Sequence, residues 1–458
     1  MMISRRNFLQ NSAMTFGAAS LAPMAALAAD TSGYKALVCI FLFGGCDSQD
    51  ILINHDQPSY DQWAEARRPI LDRFPGGSLE GARARGNLLA LDPINGGQFG
   101  SSQYALPPEM SGIKSLFDNG QAAIVPNVGP LVEPVTRQQV EDDTAILPAR
   151  LQSHNDQQST WQAFSVEGAR QGWGGLLLDA TQQSSPYTAI SVTGQSVFLS
   201  GGSTRQLQLS SSGNIERAFG TDRRVYGSDE VTDRLRAFYR QSADSVQSPM
   251  MRDLIAAQSK AINDTDTLAT LLEQQQLGEQ VRLEGNRLSD QLAVVADMIS
   301  VRNATETNRQ IYFVGMGGFD THNDQANRLP ALLSTLSEAM TRFQTVMNQA
   351  GLGNEVTTFT ASDFGRTFTS NASGTDHGWG GHQIVMGGAV RGGRILGDVP
   401  PPTTDHDNAY RSRGSLIPQI SIDQYGSELG RWFGLTDSEL NTVFPNRNRF
   451  DPLALQMF

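Results

Sequence analysis

Ala36-Leu37-Val38-Cys39-Ile40-Phe41-Leu42-Phe43 runs straight into Gly44-Gly45-Cys46-Asp47. The first eight residues are apolar without a break. A strand covered on one face alternates polar and apolar residues, so an unbroken run belongs to a central strand covered on both. The two glycines end the run, and Asp47 falls just past its carboxyl end. Further buried runs of the same kind stand at 122–126, 311–315, 356–360 and 383–386. The strongest helical pattern lies between the runs at 311–315 and 356–360. Over 327–349, Leu329, Leu332, Leu333, Leu336, Met340, Phe343 and Met347 make a stripe at spacings of three and four, which Gly351 stops. Strand, helix, strand predicts an α/β fold: a mostly parallel central sheet with helices on both faces.

Residues 228–303 read differently. They are polar, rich in Gln, Asp, Leu and Ala, and poor in strand formers. Two or three long helices are expected there, as a helical insertion packed beside the sheet, with a partner-binding arm as the other reading. Helix returns around 420–433 and 437–443, and no internal repeat interrupts the order.

Ser4-Arg5-Arg6-Asn7-Phe8-Leu9-Gln10 is a twin-arginine pattern. A weakly apolar stretch follows over 13–27. Ala26-Leu27-Ala28 then offers small residues to a peptidase, so residues 1–28 read as an export signal cut near Ala28. This predicts a periplasmic or secreted protein that engages the twin-arginine translocase during export. The remaining 33–458 are expected to form one α/β domain. No later segment offers about twenty consecutive apolar residues, so no stable membrane insertion is expected after cleavage. A net charge of −12 argues against nucleic acid and anionic membrane as partners.

The chain has two cysteines, Cys39 and Cys46. Extended chain holds their Cα atoms roughly 23 Å apart. That is beyond the reach of a disulfide. Cys39 reads as a core residue and Cys46 as a turn residue.

The six histidines are His55, His154, His322, His377, His382 and His406. The third strand runs into Gly317-Gly318-Phe319-Asp320-Thr321-His322, and the fourth into Ser362-Asp363-Phe364-Gly365-Arg366-Thr367. Asp376-His377-Gly378-Trp379-Gly380-Gly381-His382 leads into the fifth. In a parallel sheet the carboxyl ends of the strands share one edge, where ligands bind. Asp47, Asp320, His322 and Asp363 fall there, and His377 and His382 can return to it on a Gly-rich loop. Oxygen and imidazole donors converging in this way suit a divalent metal, Zn²⁺ or Mn²⁺ first, as one or two ions. Asp320 and His322 are two apart and so point to the same side.

Ser153 opens a helical pattern after the second strand. It is either the N-cap of that helix or a nucleophile at the same edge. His154 is a ligand or a base. Arg366 either grips a substrate anion or pairs with a carboxylate. No Gly-x-Ser-x-Gly elbow stands at a strand end, which ranks a serine-triad hydrolase low. No Gly-x-Gly-x-x-Gly follows the first strand and no P-loop occurs, which argues against a nicotinamide or nucleotide-triphosphate enzyme.

Several stretches together resemble the DUF1501 proteins, an uncharacterised bacterial group that usually carries twin-arginine signals. They are Phe41-Leu42-Phe43-Gly44-Gly45-Cys46-Asp47, Asn127-Val128-Gly129, Ser153-His154-Asn155-Asp156-Gln157-Gln158, Gly172-Trp173-Gly174-Gly175, Gly318-Phe319-Asp320-Thr321-His322, Ser362-Asp363-Phe364-Gly365-Arg366-Thr367, Asp376-His377-Gly378-Trp379-Gly380-Gly381-His382 and Gly387-Gly388-Ala389-Val390. That group looks like a distant branch of the alkaline phosphatase and sulfatase superfamily. The resemblance implies a metal-assisted attack on a phosphate or sulfate ester. It implies Asp47 as the strand-one metal aspartate, Ser153 as nucleophile, Asp320 and His322 in one metal site, and Asp363 in the other with His377 or His382. Two departures stand out. The superfamily commonly spaces Asp-x-x-x-His where this chain has Asp-x-His, and it follows the second-site aspartate with His where this chain has Phe364. The second site then lacks its nitrogen ligand.

The expected function is an exported, metal-dependent hydrolase of a small anionic ester, with Ser153, His154 and Arg366 as catalytic candidates. The alternative is a non-catalytic metal-binding or assembly protein on the same fold.

Overall fold

The computed structural model describes residues 28–183, 185–213, 225–239, 248–411, 413–452 and 454–458. The twin-arginine stretch lies outside the described residues.

Among the described residues the central sheet has nine strands. In chain order they are β1 (Lys35–Leu42), β2 (Ala122–Gly129), β3 (Ala189–Ser191), β4 (Leu207–Gln208), β5 (Arg309–Met316), β6 (Val356–Ser362), β7 (Gly381–Met386), β8 (Arg394–Ile395) and β9 (Ile420–Ser421). In space the order is β8-β2-β7-β6-β1-β5-β3-β4, with β9 also paired to β2. All five runs expected from the sequence are strands of this sheet. β1 pairs parallel with β5 and with β6. Only β7 runs against its neighbours, β2 and β6. The chain reaches β7 from β6 through a loop that stays at one edge. Residues just before β7 therefore sit beside residues just after β1, β2, β5 and β6.

The unbroken apolar run of β1 is explained by helices on both sides. Ala36, Val38, Ile40 and Leu42 enter one apolar cluster; Leu37, Cys39 and Phe41 enter the other. The first cluster is closed by α2 (Ser111–Asp118), α7 (Arg287–Ser300) and α8 (Gln325–Gln349). The second is closed by α3 (His154–Ala163), α4 (Trp173–Ala180), α9 (Ile422–Phe433) and α10 (Asp437–Val443). A further helix, α1 (Gln57–Leu71), packs Tyr60, Trp63, Ile70 and Leu71 into a third cluster. The stripe of α8 is fully buried at Leu329, Leu333, Leu336, Met340 and Phe343. Each such side chain contributes about 1.5–3 kcal/mol by leaving water. Gly351 takes φ +72° and the Leu352 N–H bonds Met347 O at 2.8 Å, closing the helix as a Schellman turn.

The polar run 228–303 divides in two. Its last helix, α7, is no insertion: Leu292, Val295 and Ile299 are fully buried against the sheet. Its first two helices, α5 (Asp229–Tyr239) and α6 (Pro249–Leu272), carry exposed Phe238, Met250 and Leu254. Both cysteines are buried free thiols. Among the described residues no helix is long and apolar enough to cross a membrane.

Candidate metal centre

Four of the predicted groups meet at the carboxyl edge of the sheet: His154 at the start of α3, Asp320 and His322 after β5, and His377 in the loop before β7. Their reactive atoms converge on Asp320 Oδ1. The Nε2 atoms of His322, His377 and His154 lie 3.3, 3.4 and 3.7 Å from it. His322 Nε2 and His377 Nε2 are 2.9 Å apart. His154, Asp320 and His377 each offer a ligand atom within 4.8 Å of the others. His322 adjoins this group through Asp320 and His377.

The backs of the rings explain their orientation. His377 Nδ1 lies 2.8 Å from Gln152 O, His154 Nδ1 lies 2.7 Å from Asp363 Oδ2, and His322 Nδ1 lies 3.3 Å from Asp376 Oδ1. A carbonyl or a carboxylate can only accept, so each Nδ1 carries the hydrogen, and each ring in its neutral form presents a lone pair on Nε2. Three such lone pairs would aim at one carboxylate oxygen. Repulsion among these donors is relieved by a cation, and an oxygen acceptor behind each metal-binding imidazole is the usual support. The donor set of imidazole and carboxylate suits Zn²⁺ or Mn²⁺.

Asp363 is the anchor of this support. It is fully buried, and its Oδ2 also accepts from Gly44 N at 3.1 Å and Gln158 Nε2 at 3.0 Å. Gln158 stands four residues after His154, one turn on along α3, so both reach Asp363 from one helix face. Gly44 and Gly45 have φ +112° and +79°, and a Cβ on Gly45 would come within 2.3 Å of the Phe364 ring. That ring packs against His154 and His377, with centroids 4.9 and 4.5 Å away. Phe364 thus forms a wall against both rings.

Arg366 is buried and donates from Nη2 to Asp320 Oδ1 at 2.8 Å, while Nε and Nη1 have no partner among the described residues. It also forms a β-bridge with His377, which fixes that loop. Burial pushes the Asp320 carboxyl up, but the Arg366 hydrogen bond and charge, with His322 and His154, bring it below its usual value. The hydrogen bond to Asp363 holds His154 above its ordinary value, and burial draws His377 below. The cluster is open to solvent: the Asp320 side chain is 46% exposed and that of His322 40%.

Three candidates stand apart from this group. Asp47 is fully buried and ion-paired with Arg67, and its Oδ2 also accepts from Gln325. Gln325 Oε1 accepts from Thr321 at 3.1 Å and Thr375 at 2.9 Å, residues beside Asp320 and Asp376. Asp47 thus braces the two ligand loops from below instead of joining them. His382 lies inside β7, where its Nδ1 accepts the Asn127 N–H at 3.0 Å. Its lone pair is taken, and complete burial lowers its pKa to about 4. Ser153 is the N-cap residue of α3, yet its hydroxyl donates to Asp156 Oδ2 at 2.8 Å and accepts no helix N–H.

Asp363 lies behind His154 in the arrangement described, not among the converging donors. Gln152, Gln158 and Asp376 are supports that the strand-end argument does not single out. The spacing of His154 and Gln158 is a usable signal for one of them. The contact of Gln152 with His377 spans 225 residues and leaves none.

No curated protein matches this chain. The family model described as "Protein of unknown function (DUF1501)" matches residues 34–441, from the lead of β1 into α10 and across every residue of the cluster, and the chain belongs to that family.

Proposed function

We propose that this protein is an exported, metal-dependent hydrolase of an anionic ester, a phosphate or a sulfate, on an alkaline phosphatase-like fold. The observation that carries the reading is the convergence of three imidazole Nε2 atoms on Asp320 Oδ1, each ring held from behind by its own acceptor. His154, Asp320 and His377 would hold the ion, with His322 beside them. A bound Zn²⁺ or Mn²⁺ would polarise the ester oxygen and lower the pKa of an attacking hydroxyl or water.

The chain's own groups have separate tasks in this reading. Asp363 keeps the proton of His154 on Nδ1, so Nε2 stays available. Arg366 steadies Asp320 with one nitrogen and sets its positive charge beside the place an anion would take. Phe364 excludes water from one side of the rings. Ser153, next to His154, is the nucleophile, with Asp156 accepting from its hydroxyl and orienting it. Passage through the twin-arginine translocase as a folded chain lets the cytoplasm load the metal before export to the periplasm or beyond.

A second reading is a metal-binding protein without turnover. It is favoured by the hydroxyl of Ser153, which is engaged by Asp156 and, among the described residues, makes no hydrogen bond to the cluster. Metal-loaded protein assayed on aryl phosphate, aryl phosphodiester and aryl sulfate separates the two. Hydrolysis that disappears in Asp320→Ala and Ser153→Ala supports the enzyme. Absence of turnover on all three substrates, with metal retained, rejects it for the binding protein.

A further inference from the structure

The residues that follow the export signal are built into the folded body. Asp30 N bonds Gly434 O at 2.8 Å. Arg309 reaches across from β5 and donates to Phe433 O and Gly33 O at 2.6 Å each, and to Asp30 O. Gly434 takes φ +117°, and a Cβ there would lie 2.2 Å from Asp30 O, so only glycine admits the segment. One residue earlier, Ala29 N donates to Glu439 Oε1 at 3.1 Å in a half-buried position. Glu439 uses its other oxygen, Oε2, to accept from Thr436 N and Oγ1 at 2.8 Å, in the capping box that starts α10. Ala28, immediately before, is exposed. Among the described residues the first anchored atom of the body is therefore the nitrogen of Ala29.

We infer that the signal is cut between Ala28 and Ala29, and that the α-ammonium group so created forms a salt bridge with Glu439. The cut rests on the export reading; the salt bridge rests on the geometry of Ala29 and Glu439 alone. A peptidase that selects small residues at the third and first positions before the cut fits Ala26 and Ala28. Hydrolysis breaks the bond between the Ala28 carbonyl carbon and the Ala29 nitrogen. The oxygen of water joins Ala28 as a carboxylate, and its two hydrogens leave Ala29 as an ammonium at neutral pH. A neutral amide donor facing Glu439 becomes a charged one with three N–H groups, and charge-assisted hydrogen bonds are the stronger kind. Removing the signal thus tightens the seam between the first residues of the mature chain and α10.

Glu439 from α10 accepts from this nitrogen, and Arg309 from β5 and Lys35 from β1 act on the carboxyl of the neighbouring Asp30. Glu439 is the one in contact. Its carboxylate raises the proton affinity of the amino group above that of an ordinary chain terminus.

Two experiments test the two halves. In the first, the full chain is expressed in a bacterium with a twin-arginine translocase, and the intact mass of the exported protein is measured. A start at Ala29 is expected; a later start, or an uncut chain, overturns the cut. In the second, residues 29–458 are made in the cytoplasm behind a single Met that aminopeptidase removes, which gives the Ala29 terminus whether or not export occurs. The α-amino pKa is read from pH-dependent acylation. Glu439→Gln, which keeps a cap acceptor, is expected to return it to the ordinary value. Thr436→Ala, which weakens the cap and keeps the charge, is expected to leave it raised. Equal values in the parent chain and Glu439→Gln overturn the salt bridge.

Discussion

The Nε2 atoms of His322 and His377 stand 2.9 Å apart on rings whose Nδ1 atoms each face an oxygen acceptor. Two lone pairs at that distance repel unless a proton or a cation lies with them. A proton would satisfy one pair of atoms only. A cation also accounts for His154 and Asp320, which approach the same point. Protein purified without chelator should therefore carry bound Zn²⁺ or Mn²⁺ by elemental analysis. Asp320→Ala, His154→Ala and His377→Ala should each lose it. Asp363→Asn removes a support and no converging donor, and should weaken binding by about 10–100-fold. His382→Gln should leave the metal content unchanged. A metal-free parent protein would sink the centre in every version.

The fold and the edge were legible because burial leaves a local mark. The run 36–43 is apolar on both faces because both faces are covered, and the stripe of α8 repeats because one face is buried. Strand-end Asp320 and His322 followed from the parallel sheet. What could not be read was which strand-end groups face each other. Asp47 and Asp363 both follow parallel strands, β1 and β6, yet Arg67 neutralises one and His154 leans on the other. Arg67 lies on α1, and no local pattern announces its pairing. His382 follows His377 by five residues, but β7 begins at Gly381, so His382 is already inside the sheet.

Asp47 and Arg67 form a fully buried ion pair, and removing one partner leaves the other charge stranded. Arg67→Met should cost about 3–5 kcal/mol in urea unfolding. The double variant Asp47→Asn with Arg67→Met should recover much of that loss, giving a coupling energy well outside additivity. Because Gln325 links Asp47 to Thr321 and Thr375, the single variants should also loosen both ligand loops and lower metal affinity. Additive effects of the two substitutions would show that the pair does not act as a unit.

Gly45 tests the wall formed by Phe364. In Gly45→Ala the new Cβ meets the Phe364 ring at 2.3 Å and the backbone keeps φ +79°. The left-handed conformation alone costs about 1–2 kcal/mol for alanine. Gly33→Ala is the control, since Gly33 has φ +65° and nothing within 4 Å of its Cβ. Gly45→Ala should be the more destabilised of the two in urea, and it alone should bind metal more weakly in a chelator competition. Equal effects would mean that Phe364 moves aside without disturbing His154 and His377.

His382 and Asp423 should pull the acid stability of the protein in opposite directions. Burial lowers the His382 pKa from 6.5 to about 4, so the unfolded chain binds the extra proton between those values. Its contribution is complete above pH 6.5 and is lost as pH falls toward 4. Burial raises Asp423 from 3.8 to about 6, against the hydrogen bond from Asn446, so here the folded chain holds the extra proton. That contribution is complete below pH 3.8 and is lost as pH rises toward 6. Each effect is on the order of 3 kcal/mol at full extent. Urea midpoints measured between pH 4 and 7 should separate them. Relative to the parent chain, His382→Gln should tilt the profile toward greater stability at the acid end. Asp423→Asn keeps an acceptor for Asn446, and should tilt it toward greater stability at neutral pH. The sign of each difference is the test: variants that shift the whole profile without changing its slope would mean that neither group changes its ionisation on folding.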